Sequence, residues 1–257
     1  MKGIILAGGT GSRLGPLSKV TNKHLLPVGA VPMIYHPLSQ LLCNGITDIC
    51  IVSGLFHLGS VVSLLGSGSR FGCQFTYKVQ DEAGGIAEAL NLCKNFAGDE
   101  DIMVFLGDNI FGEVLRVEEF YPTSREADVL PPDGMFFIKQ VPDPQRFGVA
   151  EVDHLKKLVD IEEKPENPKS NMAVTGAYIY SFRIWDAIKS ITRSARGELE
   201  ISDANRWLIQ NGTIITSELT GWWSDAGTQE SYRKANAMVW DNLDLVLVKK
   251  LEEMMKD

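Results

Sequence analysis

The chain has few cysteines and histidines, the residues that form disulfides and hold zinc. Its four cysteines include no CxxC pair, and three of them lie in apolar runs, which predicts buried, reduced thiols in a cytosolic protein. Its four histidines are scattered without the spacing of metal ligands, so a zinc site is not expected. These scarcities argue against a disulfide-rich secreted scaffold and against a zinc module.

An excess of positive charge and a long apolar run are also missing. The net charge of −8 argues against partners such as nucleic acid or an anionic membrane. No apolar stretch reaches the roughly 18 residues of a membrane span, and the first apolar segment breaks at Gly8, so no signal peptide is expected. The sequence therefore predicts a cytoplasmic globular protein. If such an acidic chain binds phosphates, it must concentrate its cations in one site or recruit a metal.

What the sequence does contain is a hydrophobic strand that leads directly into a glycine-rich turn. Gly8, Gly9 and Gly11 allow positive φ angles and let backbone N–H groups approach a bulky anion. Arg13 and Lys23 follow as cations suited to phosphate oxygens. We interpret the segment as a polyphosphate cradle, which makes a nucleotide the first ligand to consider.

The turn has three other possible interpretations. An ordinary glycine turn after a strand stays possible when the turn is taken alone. A Walker-type phosphate loop requires Gly-Lys-Ser/Thr, whereas residues 11–13 are Gly-Ser-Arg. A dinucleotide fingerprint requires a third glycine that opens a helix and an acidic residue about 20 positions later. Leu14 and Pro16 stand there instead, and the second strand ends at Gly54 without a carboxylate.

Strand-like and helix-like patterns alternate in the first half of the chain, which predicts buried parallel strands with helices on both faces. The second half has strands with short connections that extend the sheet in mixed fashion. We expect a single α/β domain with a Rossmann-like, doubly wound, mixed but mostly parallel sheet. The predicted strands cover 3–7, 48–53, 74–79, 102–106, 135–141, 147–152, 157–162 and 173–181, and the predicted helices cover 32–44, 57–65, 85–96, 185–191, 203–211, 228–240 and 243–255.

Residues suited to ligand binding follow four of these strands, at the edge where open parallel sheets bind ligands. The glycine turn follows the first strand, and Gln80 with Gly85 follows the third. Asp108 and Asn109 follow the fourth strand, and a later strand ends in the Glu-Glu-Lys of residues 162–164. Four such groups at one edge predict a site.

Each carboxylate in this set has two interpretations. Asp108 is either a turn residue or a carboxylate that holds Mg²⁺ against a triphosphate, since Mg²⁺ takes one or two carboxylates plus phosphate oxygens. Asp225 is either the second such carboxylate or the N-cap of the helix that follows it.

The charged residues later in the chain also have more than one interpretation. Glu163 and Lys164 form either a solvated strand end or a site in which Lys164 binds the phosphate of a second substrate and Glu163 a sugar hydroxyl. Arg196 precedes a helix and is expected to be free to reach an anion, and Trp222 and Trp223 are expected in the core.

Taken together, these segments resemble the sugar-1-phosphate nucleotidyltransferases, in particular their short members that use dTTP. The resemblance covers nearly the whole chain, and eight ordered motifs are far more specific than one glycine turn. The motifs are residues 8–14, Lys23 before 25–27, 107–109, 147–149, 162–165, 173–176, 196–200 and 223–228.

The resemblance implies the nucleotide-diphospho-sugar transferase fold and Mg²⁺ as cofactor. We also expect a homo-oligomer, although the subunit contacts of the long relatives are not carried over. The resemblance further implies that dTTP and glucose 1-phosphate give dTDP-glucose and pyrophosphate by direct in-line attack of the sugar phosphate on the α-phosphate. Residues 1–110 would bind the nucleotide, residues 111–240 the sugar phosphate, and residues 241–257 would form a C-terminal helix. One departure is His24, which stands where many long relatives have glutamine beside the base.

The residue roles that the resemblance implies fall into four groups. They are catalytic for Arg13, Lys23 and Lys164; nucleotide-binding for Leu6, Gly8, Gly9, Gly11, His24, Gln80, Gly85, Asp108 and Asn109; sugar-phosphate-binding for Gly148, Glu163, Lys164, Val174 and Arg196; and magnesium-binding for Asp108 and Asp225.

Three rival functions remain at this point. The first is the same reaction with UTP or another sugar phosphate. Thymine and uracil differ by one methyl group, which changes the binding free energy by only about 1–3 kcal/mol, so the sequence does not separate dTTP from UTP. A non-catalytic nucleotide-sugar-binding protein is disfavoured because all of the expected cations and carboxylates are present. A nicotinamide oxidoreductase is disfavoured by the missing acidic residue after the second strand.

Overall fold

The computed structural model describes residues 1–9, 11–19, 21–118, 131–154 and 157–256. The chain forms two compact units, each built from separate segments. The first unit comprises Met1–Ala83, Met103–Leu115 and Gly221–Asp257, and the second comprises Gly84–Ile102 and Arg116–Thr220. The halves expected from the sequence are continuous, whereas the last segment of the chain returns to the first unit. The functional division at residues 110 and 240 stays a prediction.

Most predicted elements are present with boundaries shifted by one or two residues. The strands are β1 (Lys2–Ala7), β2 (Pro27–Val28), β3 (Val31–Pro32), β4 (Asp48–Gly54), β5 (Gln74–Gln80), β6 (Ile102–Leu106), β7 (Ile110–Phe111), β8 (Gly134–Gln140), β9 (Gly148–Val152), β10 (Leu158–Glu163), β11 (Met172–Tyr180), β12 (Ile214–Glu218) and β13 (Trp223–Ser224). The α-helices are α1 (Tyr35–Cys43), α2 (Leu58–Leu65), α3 (Ile86–Asn91), α4 (Lys94–Ala97), α5 (Ile184–Ser190), α6 (Ile201–Asn211), α7 (Gln229–Asn242) and α8 (Leu245–Met254).

In the first unit the strand order is β6-β1-β4-β5, with β1, β4 and β5 parallel. The chain passes from β1 to β4 to β5 in one direction and then returns to β6 on the other side of β1. Strand order therefore reverses between β1 and β6, which is where doubly wound sheets bind ligands. Ile4 and Ile5 of β1 are fully buried, as a central parallel strand requires.

The helices of the first unit cover this sheet and one another. Helix α1 packs on β1, helix α2 on β4, and helix α8 on α1. The apolar stripe expected at 243–255 is confirmed in part, because Leu247, Leu251 and Met254 are buried while Val246 and Met255 are 45% and 46% exposed. The helix expected at 32–44 begins only at Tyr35, because residues 27–32 form the short antiparallel pair β2–β3.

The second unit has the strand order β10-β9-β11-β8-β12. Its neighbours are antiparallel except for β12 and β8, which are parallel. Helix α6 packs on β10 and on α5. The single helix expected at 85–96 is two short helices, α3 and α4, and the helix expected at 203–211 begins at Ile201.

The expected fold class, a doubly wound, mixed and mostly parallel α/β sheet, is confirmed. The four cysteines are free thiols, three of them buried, as predicted. In the part of the chain that the structure describes, no helix combines the length and the hydropathy needed to span a bilayer.

Candidate active site

An ion pair lies at the point of the first unit where strand order reverses. Lys23 Nζ donates to Asp108 Oδ2, and the two side chains are only 10% and 13% exposed. Asp108 follows Gly107, whose N–H donates to the carbonyl of Leu6 at 2.9 Å. Asp108 comes shortly after β6 and Lys23 lies in the connection between β1 and β2, so the fold brings together two charged residues that are far apart in the sequence.

Neighbouring groups keep the Asp108 carboxyl group ionised. Burial by itself would raise its pKa, but the charge of Lys23 and hydrogen bonds from Lys23 and Asn109 lower that pKa below its ordinary value. Asn109 Nδ2 donates to Asp108 Oδ1 at 3.0 Å, and Asn109 Oδ1 accepts from Trp223 Nε1 at 2.7 Å. Trp223 is buried, as predicted, and it orients Asn109, which in turn orients the carboxylate.

His24 is a neutral side chain in a defined tautomer. Asn22 Oδ1 accepts from the backbone N–H of His24 at 2.8 Å, which fixes the orientation of the Asn22 amide. The same oxygen lies 2.7 Å from His24 Nδ1, so Nδ1 carries the proton and Nε2 is an acceptor. Burial lowers the pKa of His24 to about 3, and the charge of Lys23 acts in the same direction while that of Asp108 opposes it. His24 is therefore an uncharged acceptor at neutral pH.

The glycine turn after β1 leaves room for the side chains around it. A Cβ on Gly8 would overlap Gln80 Oε1, and one on Gly9 would lie 3.5 Å from Lys23 Nζ. Gly11 has a φ of +68°, a left-handed conformation that favours glycine, and a Cβ there would lie 3.1 Å from Lys23 Cβ. The turn thus brings Gln80 and Lys23 to the same backbone segment. Thr10 lies outside the described residues.

Gly227 marks a point where three groups of the first unit converge. A Cβ on Gly227 would lie 3.4 Å from Asp108 Oδ2, 3.4 Å from the backbone oxygen of Asp225 and 3.5 Å from Arg13 Nη2. Ala226, between Asp225 and Gly227, has a φ of +36°, which costs a non-glycine residue about 1–3 kcal/mol. The predicted residues Arg13, Asp108 and Asp225 are therefore neighbours, and the backbone between them is strained.

Asp225 does not cap helix α7, so that interpretation of the sequence is wrong. Thr228 is the N-cap: its side chain accepts from the backbone N–H of Ser231, and the Ser231 side chain accepts from the N–H of Thr228. This reciprocal pair satisfies the first turn of the helix without a carboxylate.

A second charged cluster lies in the second unit, at the end of β10. Glu163 Oε1 accepts from Lys164 Nζ at 2.8 Å, and Glu163 Oε2 accepts from Ser202 Oγ at the start of α6. Lys164 has a φ of +45°, which again places a non-glycine residue in the left-handed region at a predicted site. In the sheet, Gly148 of β9 pairs with Glu163 on one side and with Val174 of β11 on the other.

The sequence predicts that Arg196 is free to reach an anion, whereas in the structure one edge of its guanidinium is paired with a carboxylate. Its guanidinium donates to Glu200 Oε1 from Nη2 at 2.8 Å and from Nε at 3.1 Å. Its Nη2 also lies 3.7 Å from Glu163 and 3.9 Å from Glu198. Glu198 and Glu200 are near Arg196 in the sequence, whereas Glu163 belongs to β10 and approaches Arg196 only in the fold.

Gly85, predicted to contact a base, belongs to the second unit. It has a φ of +105°, and a Cβ there would overlap the backbone of Leu199, whose N–H donates to Gly84 at 2.8 Å. This glycine is required by the close approach of the segment that also carries Arg196.

Sequence reasoning missed four supporting residues. Asn22 fixes His24, Gly227 sits at the convergence point, Ser202 binds Glu163, and Glu200 binds Arg196. Asn22 adjoins the motif that begins at Lys23, while Gly227 and Glu200 lie within the motifs 223–228 and 196–200, so their positions in or beside a motif were an available signal. Ser202 directly precedes the helix predicted at 203–211 and carries no further signal.

A doubly wound sheet whose point of strand-order reversal carries a glycine turn and paired opposite charges defines the class of nucleotide-handling α/β enzymes. The chain belongs to the nucleotidyl transferase family, whose sequence profile matches residues 2–242.

Several known proteins are similar to this chain, some in sequence and one in both sequence and structure. A glucose-1-phosphate thymidylyltransferase from Neisseria meningitidis serogroup A is 43% identical over 93% of this chain and 82% of its own length. A low-salt glycan biosynthesis nucleotidyltransferase from Haloferax volcanii is 38% identical over 95% of this chain and 68% of its own length. The crystal structure of a Bacillus anthracis protein, provisionally assigned as a glucose-1-phosphate thymidylyltransferase, has a TM-score of 0.86 and 52% identity, covering 96% of this chain and 99% of that one.

Proposed function

We propose that this chain catalyses transfer of a thymidylyl group from dTTP to glucose 1-phosphate, giving dTDP-glucose and pyrophosphate. The observation that carries the proposal is the cluster at the reversal point of the first unit. There Asp108, Arg13 and the Asp225 backbone lie around Gly227, and Lys23 pairs with Asp108. The Neisseria meningitidis relative and the Bacillus anthracis protein carry the name of an enzyme for this reaction, which supports the proposal.

The first unit supplies most of the nucleotide site in this proposal. Arg13 and Lys23 bind phosphate oxygens, and the turn backbone donates its N–H groups to them. The Gln80 amide, folded over Gly8, offers an acceptor and a donor to a pyrimidine edge. The remaining nucleotide contacts assigned from the sequence are Leu6, Gly9, Gly11, His24, Gly85 and Asn109.

The second unit supplies the sugar-phosphate site. Lys164 and Arg196 bind the phosphate, and Glu163 accepts a hydrogen bond from a sugar hydroxyl. Gly148 leaves the space that a ring needs beside Glu163, since a Cβ there would lie 3.5 Å from Glu163 Oε2. Val174 provides an apolar wall next to it.

The donor set fits Mg²⁺. Within the described residues, no group of three or more His, Cys, Asp or Glu side chains could hold a metal alone. Asp108 is ionised and the Asp225 segment lies beside it, and Mg²⁺ typically takes one or two carboxylates and completes its shell with phosphates and water. Asp108 and Asp225 would hold the ion, which would neutralise charge on the phosphates.

No general base is required, because a sugar phosphate is mostly doubly ionised at neutral pH. Its oxygen attacks the α-phosphorus of dTTP, and the bond from that phosphorus to the pyrophosphate oxygen breaks. Arg13 and Lys23 stabilise charge on the triphosphate, and Lys164 orients the attacking phosphate. Positioning and charge stabilisation therefore account for most of the rate.

The test is to incubate the protein with Mg²⁺, glucose 1-phosphate and each nucleoside triphosphate in turn, and to measure pyrophosphate release. We expect dTTP to give the highest kcat/KM, UTP to follow, and ATP and GTP to be poor, because unpaired amide groups at Gln80 cost about 1–3 kcal/mol each. Equal kcat/KM for ATP and dTTP would contradict the base assignment. Absence of pyrophosphate with every nucleotide would contradict the proposed function and favour a binding protein.

A further inference from the structure

Glu200 stands immediately before helix α6, in the position where a carboxylate commonly caps the first turn. Its side chain makes no such cap bond. Instead, its Oε1 accepts three hydrogen bonds, from Ser194 Oγ at 2.8 Å, Arg196 Nη2 at 2.8 Å and Arg196 Nε at 3.1 Å. The residue is only 8% exposed. The buried carboxylate therefore accepts hydrogen bonds from one edge of a single guanidinium group.

This pairing divides the guanidinium into a used edge and an open one. The Nε–Nη2 edge is held by Glu200, whereas Nη1 makes no hydrogen bond to any described residue. Glu163 and Glu198 lie beyond hydrogen-bond distance of Nη2, at 3.7 and 3.9 Å. The Arg196 side chain is 47% exposed, so its Nη1–Nη2 edge can donate hydrogen bonds to two oxygens of one phosphate.

Net charge alone does not explain phosphate recognition here. Arg196 and Lys164 provide two positive charges, and Glu163, Glu198 and Glu200 provide three negative ones within reach of Arg196. An anion therefore gains little from the overall potential and depends on directed hydrogen bonds. A long arginine side chain that is not held in place loses rotamer entropy on binding, which an oriented one has already lost.

We propose that Glu200, supported by Ser194, is a positioning residue that holds Arg196 with its Nη1–Nη2 edge presented to the phosphate of the sugar substrate. The inference rests on the proposed function, in which Arg196 binds that phosphate. It adds that the carboxylate improves sugar-phosphate binding even though it brings a negative charge close to an anion.

The test is the KM of each substrate in Glu200→Gln and Glu200→Ala, with binding of glucose 1-phosphate measured by calorimetry as a readout independent of turnover. Glu200→Ala should raise the KM for glucose 1-phosphate about 10–100-fold, as expected when an ordered charged hydrogen bond is lost. Glu200→Gln keeps an acceptor and should raise it by less. The KM for dTTP should change less than about 2-fold. Glu198→Gln, which removes a charge without removing a hydrogen bond, is the matched control and should resemble the wild type.

A double-mutant cycle separates positioning from a general structural role. Once Arg196→Ala is in place, Glu200→Gln should have no further effect on glucose 1-phosphate binding, because there is no guanidinium left to orient. A further loss in that background would show a structural role and overturn the inference. Tighter glucose 1-phosphate binding by Glu200→Gln would also overturn it, since charge repulsion would then outweigh orientation. If Arg196→Ala binds glucose 1-phosphate normally while turnover persists, the inference fails and the proposed reaction stands.

Discussion

At the scale of single residues, Asp108 combines burial with a full negative charge. Lys23 and Asn109 supply the interactions that keep the charge in place, and Asn109 is itself held by Trp223. Burying a charge costs free energy, and charges kept in this way are concentrated at functional sites. We therefore propose that Asp108 binds the metal and, through it, the phosphates.

We predict that Asp108→Asn and Asp225→Asn each lower kcat by about 100-fold or more, because metal-assisted charge stabilisation is worth several kcal/mol. Thr228→Ala should cost about 1 kcal/mol of stability, because Thr228 is the cap of helix α7 and Asp225 is not. Initial rates and urea unfolding test both statements. Near-normal turnover of either asparagine variant with Mg²⁺ would show that its carboxylate is not a ligand.

Gly227 offers a finer test of the same point in the structure. Its φ lies outside the left-handed region, and a Cβ there would meet its neighbours at ordinary contact distances of 3.4–3.5 Å. Gly227→Ala should therefore fold normally but lose about 10-fold or more in kcat, because the methyl group occupies the space beside Arg13 and Asp108 that the phosphates need. Gly59→Ala, in an exposed position of α2 with nothing within 4 Å, is the control. Equal activity in the two variants would show that Gly227 does not border the phosphate site.

At the scale of elements, the sequence predicted the buried strands well. The apolar runs of β1, β4 and β6 are continuous, so their ends and the residues that follow them could be placed to within one residue. The start of α1 was placed too early, since Val31 and Pro32 pair with β2. The pairing of Arg196 with Glu200 joins residues only four positions apart, so the sequence already placed the two side chains near each other. The approach of Glu163 could not be predicted, because it depends on a tertiary contact between separate elements.

Helix α1 also carries a pH-sensitive contact. His36 is 4% exposed, its Nε2 donates to the carbonyl of Val28 at 3.0 Å, and burial lowers its pKa to about 4. Below the unfolded pKa of about 6.5 the unfolded chain binds the extra proton, so this contribution to stability is present above pH 6.5 and is lost as pH falls toward 4.

We expect acidification from pH 7 to pH 5 to cost about 2 kcal/mol at this one histidine, from 1.36 kcal/mol per pH unit below 6.5. His36→Gln removes the titrating group and should lose correspondingly less stability over the same interval. Urea unfolding of both proteins at the two pH values measures the difference. An identical loss in the two proteins would show that His36 does not titrate in this range.

At the scale of the whole molecule, an acidic chain handles anionic substrates by concentrating its cations locally. The net charge is −8, yet Arg13 and Lys23 lie together in the first unit, and Lys164 and Arg196 lie together in the second. We interpret this as one phosphate-binding cluster for each substrate. The homo-oligomer expected from the sequence stays a prediction.

This arrangement predicts that the two substrates respond to different variants. Lys164→Ala should raise the KM for glucose 1-phosphate about 10-fold or more, while Arg13→Ala should do the same for dTTP, since each loses a charged hydrogen bond to one substrate. Lys169→Ala, which removes an exposed lysine paired with Glu151, is the control for the second unit. Steady-state titration of each substrate provides the comparison. The same defect for both substrates in both variants would contradict separate clusters.

The most direct test of the central claim is to follow the α-phosphorus of dTTP by phosphorus NMR in the presence of Mg²⁺ and glucose 1-phosphate. The account predicts that this phosphorus appears in the diphosphate of dTDP-glucose, with one equivalent of pyrophosphate, and that the conversion is lost in Asp108→Asn. Formation of dTMP, release of inorganic phosphate, or an unchanged dTTP spectrum would contradict the claim that this chain transfers a thymidylyl group to a sugar phosphate.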